Sequence, residues 1–444
     1  MTQGSIYKKI LLFSLPVFIG QLLQQLYSVA DSAVVGNFVG KEALAAVSSS
    51  GSFIFLIVGF INGLFMGAGI IIGNRYGAKE YDALHTAVHT GIAFALISGV
   101  IMTIFGFTFT PTILRWMNTP LNVMPNSVLY LRIFFLGGLG NVLYNACCGI
   151  FQAMGDSKHP LYYLVVSSVL NIGLDILFVV TFKWGIAGAA VATVTSQYVS
   201  AFFSFIKLTQ VDGPHKLILR DIKIDVETLK KELILGFPTG IQNSVIAIAN
   251  VVVQSNINAF GDIAMAGCGG YFKLEGFAFL PITCFCTALT TFTSQNLGAG
   301  LFDRARKGAR FGIITGVLLA ETTGVILYFI APIALRLFSD DPEVISYGVL
   351  QIKTEALFYC MLALAHCMAS VLRGAGKTTV PMFVMLGCWC LFRITYITIA
   401  VRLRPEISTV FSAYPITWTL SVIIFLIYYH KVNIYKDNIY KTAS

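Results

Sequence analysis

The chain has 444 residues and a formal net charge of +9. Hydrophobic residues make up 56% of it and charged residues only 11%, against roughly 25% charged residues in a soluble domain. Mean hydropathy is +0.78, and no long polar block interrupts the apolar runs. This composition excludes a soluble globular protein and predicts a protein that crosses a membrane many times.

The apolar runs are long enough to be membrane spans, which need ~20 apolar residues each. They are continuous rather than alternating, so they predict α-helices and not the strands of a barrel. In chain order the twelve predicted spans are 11–36, 48–73, 86–110, 127–150, 160–181, 186–208, 233–258, 264–294, 310–333, 346–371, 380–401 and 408–430. The predicted fold class is therefore an all-α polytopic membrane protein.

The basic residues are distributed unevenly across the predicted membrane. An even number of spans puts both termini on one side, together with the charged segment 209–230. Twenty of the thirty lysines and arginines fall on that side and only six on the opposite side, which marks the first side as cytoplasmic. We therefore expect a multi-pass protein of the cytoplasmic (inner) membrane with both termini in the cytoplasm, and no nucleic-acid partner.

The two halves of the chain repeat each other with a shift of about 221 residues. "YGAKEYDALHTAVHTGI" matches "LGAGLFDRARKGARFGI", and "FQAMGDSKHP" matches "LRGAGKTTVP", with Pro160 opposite Pro381. Each repeat holds six spans, so the repeats are parallel, an arrangement typical of transporters. We expect an N-lobe at 1–208, a cytoplasmic inter-lobe linker at 209–230, a C-lobe at 231–444, and function as a monomer.

Two carboxylates lie inside predicted spans of the first half. Asp31 is in "LLQQLYSVADSAVVGNF" and Asp175 in "VLNIGLDILFVV". A carboxylate at membrane depth costs at least ~2.5–3.5 kcal/mol, so it predicts a functional site. The second half has no acid at the matching positions, because Asp175 aligns with Tyr396 and Asp31 with Val252 or Val253. The alternative interpretation is a pair of buried acids that bond to backbone and have no role in transport.

Three further polar residues are candidates for lining a substrate cavity. Gln24 and Tyr27 lie near one face of the first helix with Asp31, at steps of three and four residues. Glu275, in "YFKLEGFAFLP", either attracts a cationic substrate or forms a structural salt bridge. Glu355 is close to Lys353, and we interpret it as a solvated or paired group at the outer end of its span.

The sequence contains only weak indications of a metal site or of an enzyme. His85 and His89 lie four residues apart on one helix face, a spacing that can bind a metal ion, but no third ligand is evident. We therefore interpret them as residues of a cytosolic helix end and predict no metal site. The nine cysteines lack metal-ligand spacing, and there is no Walker A loop or catalytic constellation. The sequence predicts neither an enzyme nor a bound cofactor.

The matched blocks resemble the multidrug and toxic compound extrusion (MATE) family over essentially the whole chain. The resemblance rests on "GAKEYDA", "QNLGAGLFDRARKG", the turns "GDSKHP" and "GAGKTTVP", and a first helix that runs from Pro16 to Asp31. It implies a V-shaped fold of two six-helix lobes, and antiport of a small organic, often cationic, compound against H⁺ or Na⁺. In the prokaryotic branch with a cation site in the amino-terminal lobe, the matching residues here are Asp31, Asn171 and Asp175.

The resemblance leaves the coupling ion and the substrate open. Asp31 and Asp175 could bind one monovalent cation with help from the carbonyl oxygen of Asn171, or they could share a proton. The alternative function is a flippase for a lipid-linked precursor, which has the same superfamily architecture. A flippase of that kind requires a more cationic cavity for a pyrophosphate headgroup, and the spans contain few basic residues.

Overall fold

The computed structural model describes residues 1–117 and 119–432, apart from seven side chains between positions 41 and 52. The described residues form helices with no strand among them, and most connections are short apart from the segment between α7 and α8. The helices of the first half are α1 (Ile6–Phe38), α2 (Lys41–Ala78), α3 (Tyr81–Trp116), α4 (Met124–Leu136), α5 (Gly138–Ala153), α6 (Lys158–Asp175) and α7 (Ile186–Gln210). The predicted cytoplasmic carboxyl terminus lies outside the described residues.

The second half contains nine α-helices in its described part. They are α8 (Val226–Asn258), α9 (Asp262–Ala278), α10 (Leu280–Gly298), α11 (Phe302–Leu335), α12 (Pro342–Glu355), α13 (Tyr359–Gly374), α14 (Thr379–Met385), α15 (Arg393–Leu403) and α16 (Ile407–Lys431). A π-helical turn, Ile176–Thr181, follows α6, and another, Leu386–Phe392, joins α14 to α15. A short 3₁₀ turn, Leu219–Asp221, lies between α7 and α8.

Length and hydropathy confirm the prediction of a polytopic all-α membrane protein. In the described residues eleven spans are long and apolar enough to cross a membrane, or twelve if α4 and α5 count as one. These two helices meet at a bend of 49° next to Gly137, where the sequence predicted one span, 127–150. Gly137 and Gly138 are adjacent there, and paired small residues are a common cause of helix kinks.

Packing divides the described structure into two compact units. The first unit is Ile19–Phe237, and the second is Met1–Phe18 together with the described residues from Pro238 onward. The boundaries fall within α1 and α8, so each of these helices begins in one unit and continues in the other. This grouping describes packing alone. The lobes expected from the repeat, 1–208 and 231–444, remain a prediction.

Glycines allow the first unit to pack its helices closely. A Cβ atom on Gly67 of α2 would lie 2.2 Å from the carbonyl oxygen of Glu232, and one on Gly236 would lie 2.2 Å from that of Leu64. The backbones of α2 and the first turns of α8 are therefore in direct contact, as small residues permit in membrane helices. The apolar core beside this contact includes Phe65 and other buried side chains of α2, α3 and α5.

Candidate functional site

Asp31 and Asp175 meet in the interior of the first unit. Asp31 lies on α1 and is 9% exposed, while Asp175 is the last residue of α6 and is 1% exposed. Their carboxyl groups lie within hydrogen-bonding reach of each other. Two carboxyl groups at that separation hold a proton between them or require a cation, because two adjacent negative charges are costly in a buried site.

Asn171 lies one turn before Asp175 on α6 and is 1% exposed. When its amide is oriented so that both polar atoms have partners, Nδ2 donates to Oδ2 of Asp175 at 3.2 Å. In the same orientation Oδ1 accepts from the backbone N–H of Thr193 on α7 at 3.2 Å. The amide therefore presents an N–H group, and not its carbonyl oxygen, to the carboxyl of Asp175.

Each of the two carboxyl groups keeps one buried oxygen without a partner. Oδ1 of Asp31 and Oδ1 of Asp175 make no hydrogen bond within the described residues. Neither acid has an ion-pair partner there either. Buried acceptors are almost always satisfied, so these two oxygens are available for a proton or a small cation. The π-helical turn that follows Asp175 is a feature often found at functional sites.

Two tyrosines belong to the surroundings of the acid pair. Tyr27 of α1 is partly buried, Tyr130 of α4 is 6% exposed, and both experience the charges of Asp31 and Asp175. Tyr130 is absent from the predicted site, because no sequence signal distinguishes it from the other aromatic residues. Gln24 has an exposed side chain, one turn from Tyr27, and its predicted role in a substrate cavity stays a prediction.

A second acidic cluster lies in the second unit, around Glu275 and Glu355. Glu355 is fully buried, where it accepts from the hydroxyl of Tyr271 at 2.7 Å and from Nε2 of Gln351 at 2.9 Å. Glu275 is also within hydrogen-bonding reach of Tyr271. The sequence interpretation of Glu355 as a solvated or paired edge group near Lys353 was wrong about solvation, because the carboxylate is fully buried. Its partners are Tyr271 and Gln351, and the described residues show no ion pair between it and Lys353.

Arg393 supplies the positive charge of this second cluster. It is 2% exposed and exerts an electrostatic influence on both Glu275 and Glu355. Its Nη2 donates to Oγ1 of Thr417 at 2.9 Å, and its guanidinium carbon lies 4.4 Å from the ring centre of Tyr414. A basic group therefore lies near these acids, whereas the acid pair of the first unit has no ion-pair partner among the described residues.

Glu232 of α8 is a further buried acid, outside both clusters, that the sequence interpretation missed. It is 2% exposed, and neither carboxylate oxygen has a hydrogen-bond partner in the described part of the chain. A Cβ atom on Gly91 would lie 3.9 Å from its Oε1, so the carboxylate faces α3. The available signal was its place in the repeat, since Ile10 and Glu232 each lie six residues before a proline, Pro16 and Pro238.

Multiple spans with an acid pair buried inside them are typical of membrane transporters that carry ions or protons. The MatE family model matches residues 16–177 and 238–399, which together are more than half of the chain. The chain therefore belongs to the multidrug and toxic compound extrusion family, as its motifs predicted.

Two named relatives align with most of this chain over most of their own length. The chain is 29% identical over 439 residues to "Probable multidrug resistance protein YoeA" of Bacillus subtilis, covering 97% of this chain and 95% of the relative. It is 26% identical over 398 residues to "Probable multidrug resistance protein NorM" of Thermotoga maritima, covering 86% and 83%.

Solved structures have the same fold. One, described as the outward-facing conformation of a multidrug resistance MATE family transporter of the MOP superfamily, gives a TM-score of 0.91 at 23% identity. The match covers 97% of this chain and 96% of that one. A MOP superfamily transporter from Pyrococcus furiosus matches with the same score, identity and coverage. At this identity the likeness is one of fold alone.

Proposed function

We propose that this protein is a cation-coupled antiporter that exports organic compounds, cationic or amphipathic in character, by alternating access. Membership of the family and the names of the multidrug resistance relatives support export. The observation that carries the coupling is the contact between Asp31 and Asp175, each with a buried oxygen that lacks a partner among the described residues. We also expect a monomer in the inner membrane with both termini in the cytoplasm.

Asp31 and Asp175 take up and release the coupling ion in this proposal, and Asn171 positions Asp175. The geometry suits H⁺ better than Na⁺, because Asn171 directs an N–H group toward Asp175 and its carbonyl oxygen is occupied by Thr193. Sodium would require the amide to turn and offer that oxygen, since hard cations prefer oxygen ligands. A proton shared between the two carboxyl groups requires no such change.

The transport cycle then alternates between a protonated and a deprotonated acid pair. Protons from outside load the pair, the affinity for substrate falls, and substrate leaves to the outside. After the transporter opens inward, the pair releases its proton to the cytoplasm and substrate binds again. A gradient of one pH unit supplies ~1.4 kcal/mol per proton, and a potential of 100 mV supplies ~2.3 kcal/mol per charge.

Efflux from proteoliposomes tests the proposal when a pH gradient and a sodium gradient are imposed separately. We expect efflux of a cationic dye under the pH gradient, and its loss in Asp31→Asn and Asp175→Asn. The matched control is Asp303→Asn in the first turn of α11, an acid outside both clusters. Normal efflux by both site variants would disprove the assignment of the coupling site. Efflux under the sodium gradient alone would show that Na⁺, and not H⁺, is the coupling ion.

The flippase alternative is not favoured. The relatives are named for multidrug resistance. Among the basic residues within the spans, Arg393 bonds to Thr417, while Arg132 and Lys273 lie 5.2 Å and 5.4 Å from the ring centres of Phe107 and Phe338. Three basic residues are few, so the spans supply little positive charge to bind a pyrophosphate headgroup.

A further inference from the structure

Two histidines of α3 and an aspartate of the segment before α8 form a cluster in the first unit. His85 and His89 lie in the first turns of α3, and Asp221 ends the 3₁₀ turn Leu219–Asp221. One ligand atom from each of the three side chains lies within 4.8 Å of the other two. The folded chain thus supplies the third ligand that the spacing of the histidines alone lacked.

Hydrogen bonds fix the ring of His89 in a state suited to metal binding. Its Nε2 accepts from the backbone N–H of Ile218 at 2.9 Å, so in the neutral ring Nδ1 carries the hydrogen. Nδ1 then donates to the carbonyl oxygen of His85 at 2.7 Å. Metal-binding histidines commonly donate one ring N–H to a backbone carbonyl in this way, and an ion at Nε2 of His89 displaces the hydrogen bond from Ile218.

The separation of the other two ligand atoms also fits a tetrahedral ion. Nε2 of His85 lies 3.4 Å from Oδ2 of Asp221. Bonds of 2.0–2.1 Å at tetrahedral angles place two ligand atoms about 3.4 Å apart. The two side chains are 35% and 47% exposed, so an ion can reach them from the aqueous side, while His89 forms the buried floor of the cluster.

We propose that His85, His89 and Asp221 form a binding site for a divalent transition-metal ion of the zinc class. The ion takes the lone pair of His89 Nε2 that now accepts from Ile218, and water completes a tetrahedral set. Because Asp221 belongs to the segment between α7 and α8, the bound ion attaches that segment to α3. Imidazole and carboxylate ligands in this number are typical of zinc sites.

Metal binding by the purified full-length chain tests the proposal directly. The protein, in detergent and without a histidine tag, competes with a fluorescent chelator for Zn²⁺, and Co²⁺ reports tetrahedral coordination through its visible absorption. We expect one ion per chain, and a loss of affinity of at least about tenfold in His85→Ala and in Asp221→Asn. Gel filtration checks that each variant is folded.

His159→Ala is the matched control, because His159 and Asp156 form a partly exposed pair in the same unit, outside the three-residue cluster. This variant removes one histidine and retains the wild-type affinity. Failure of the wild-type chain to compete for Zn²⁺ overturns the proposal. Equal affinity in wild type, His85→Ala and Asp221→Asn also overturns it, since the ion would then bind elsewhere.

Discussion

With its amide assigned so that both polar atoms have partners, Asn171 donates from Nδ2 to Oδ2 of Asp175 across 3.2 Å, one helical turn away. This bond holds the carboxyl of Asp175 in place while its other oxygen stays open. Hydrogen bonds to charged groups are worth ~1.5–3 kcal/mol. We therefore expect Asn171→Ala to lower proton-coupled efflux about tenfold or more in proteoliposomes, at unchanged protein content. Unaltered efflux in this variant would show that the amide has no part in coupling.

The two acids of the first unit should act as a pair. If Asp31 and Asp175 share one coupling ion, removal of either carboxyl removes the whole site. We expect each single change to asparagine to reduce coupled efflux by at least about 100-fold, and the double variant to be no worse than the lower single variant. Proteoliposome efflux measures the cycle, and losses that multiply in the double variant would contradict a shared ion.

Glu355 should contribute to stability through its two hydrogen bonds. In Glu355→Ala the hydroxyl of Tyr271 and the amide of Gln351 lose their acceptor in a buried place. We expect a loss of about 2–3 kcal/mol in the free energy of unfolding, and a smaller loss in Glu355→Gln, measured by thermal unfolding in detergent. Glu343→Ala, an exposed acid of the same helix, is the control that leaves the midpoint in place.

The repeat offers a reciprocal exchange between Ile10 and Glu232. Ile10 lies in an apolar cluster with Phe13 and Val17, whereas Glu232 is buried without a partner in the described chain. Glu232→Ile should therefore leave the unfolding midpoint unchanged or raise it, because the cost of burying an unpaired polar group is removed. Ile10→Glu should lower stability by about 3 kcal/mol or more, since it places an uncompensated charge in an apolar core.

Thermal unfolding of both variants in the same detergent provides the measurement. The two variants are expected to change stability in different directions. A general sensitivity to mutation at the start of α1 or α8 would instead lower the midpoint in both. A clear fall in the midpoint of Glu232→Ile would mean that the carboxylate has a stabilising partner.

Asp225 caps α8 from the aqueous side, and its contribution should depend on pH. Its Oδ1 accepts from the backbone N–H of Thr228 at 2.8 Å, and the hydrogen bonds from Thr228 hold the pKa of this carboxyl below its ordinary value. Because the pKa is lowered in the folded state, the stabilisation is present above about pH 4 and disappears as the pH falls through the lowered value.

Asp225→Ala should accordingly lower the unfolding midpoint by about 1–2 °C at neutral pH, with the difference from wild type shrinking below about pH 4. The control is Asp212→Ala in the same segment. A difference that persists unchanged in acid would indicate that packing, and not the cap, explains the effect.

Most of the fold follows from hydropathy, because bilayer thickness sets the length of each span and lipid forces the backbone into helices. The sequence did not predict the bend between α4 and α5, because the helices on both sides of Gly137 are equally apolar. Asp31 and Asp175 could be predicted as site residues because a carboxylate within a membrane span carries a large free-energy cost. The amide orientation of Asn171 could not be predicted from the sequence, because it depends on a backbone N–H group of α7 that only the folded chain brings near.

Residues that depend on a distant partner were harder to predict. Glu355 was interpreted as a solvated or paired group because Lys353 is two residues away, yet Glu355 lies on the buried side of α12 and Lys353 on the exposed side. Asp221 joins His85 and His89 only because the segment before α8 lies against α3. In each case sequence spacing predicts only which residues share one helix face. The contact that determines the role of the residue comes from another helix or segment.

The course of α1 has a consequence for biogenesis. Residues 1–18 belong by packing with the unit that begins at Pro238, and Ile10 and Phe13 share an apolar cluster with Phe285 and Phe292 of α10. The ribosome therefore makes the first turns of α1 long before their neighbours exist. Until α10 is inserted, lipid or an insertase must cover that apolar face, so a nascent chain stalled before α10 should remain vulnerable to quality-control proteases.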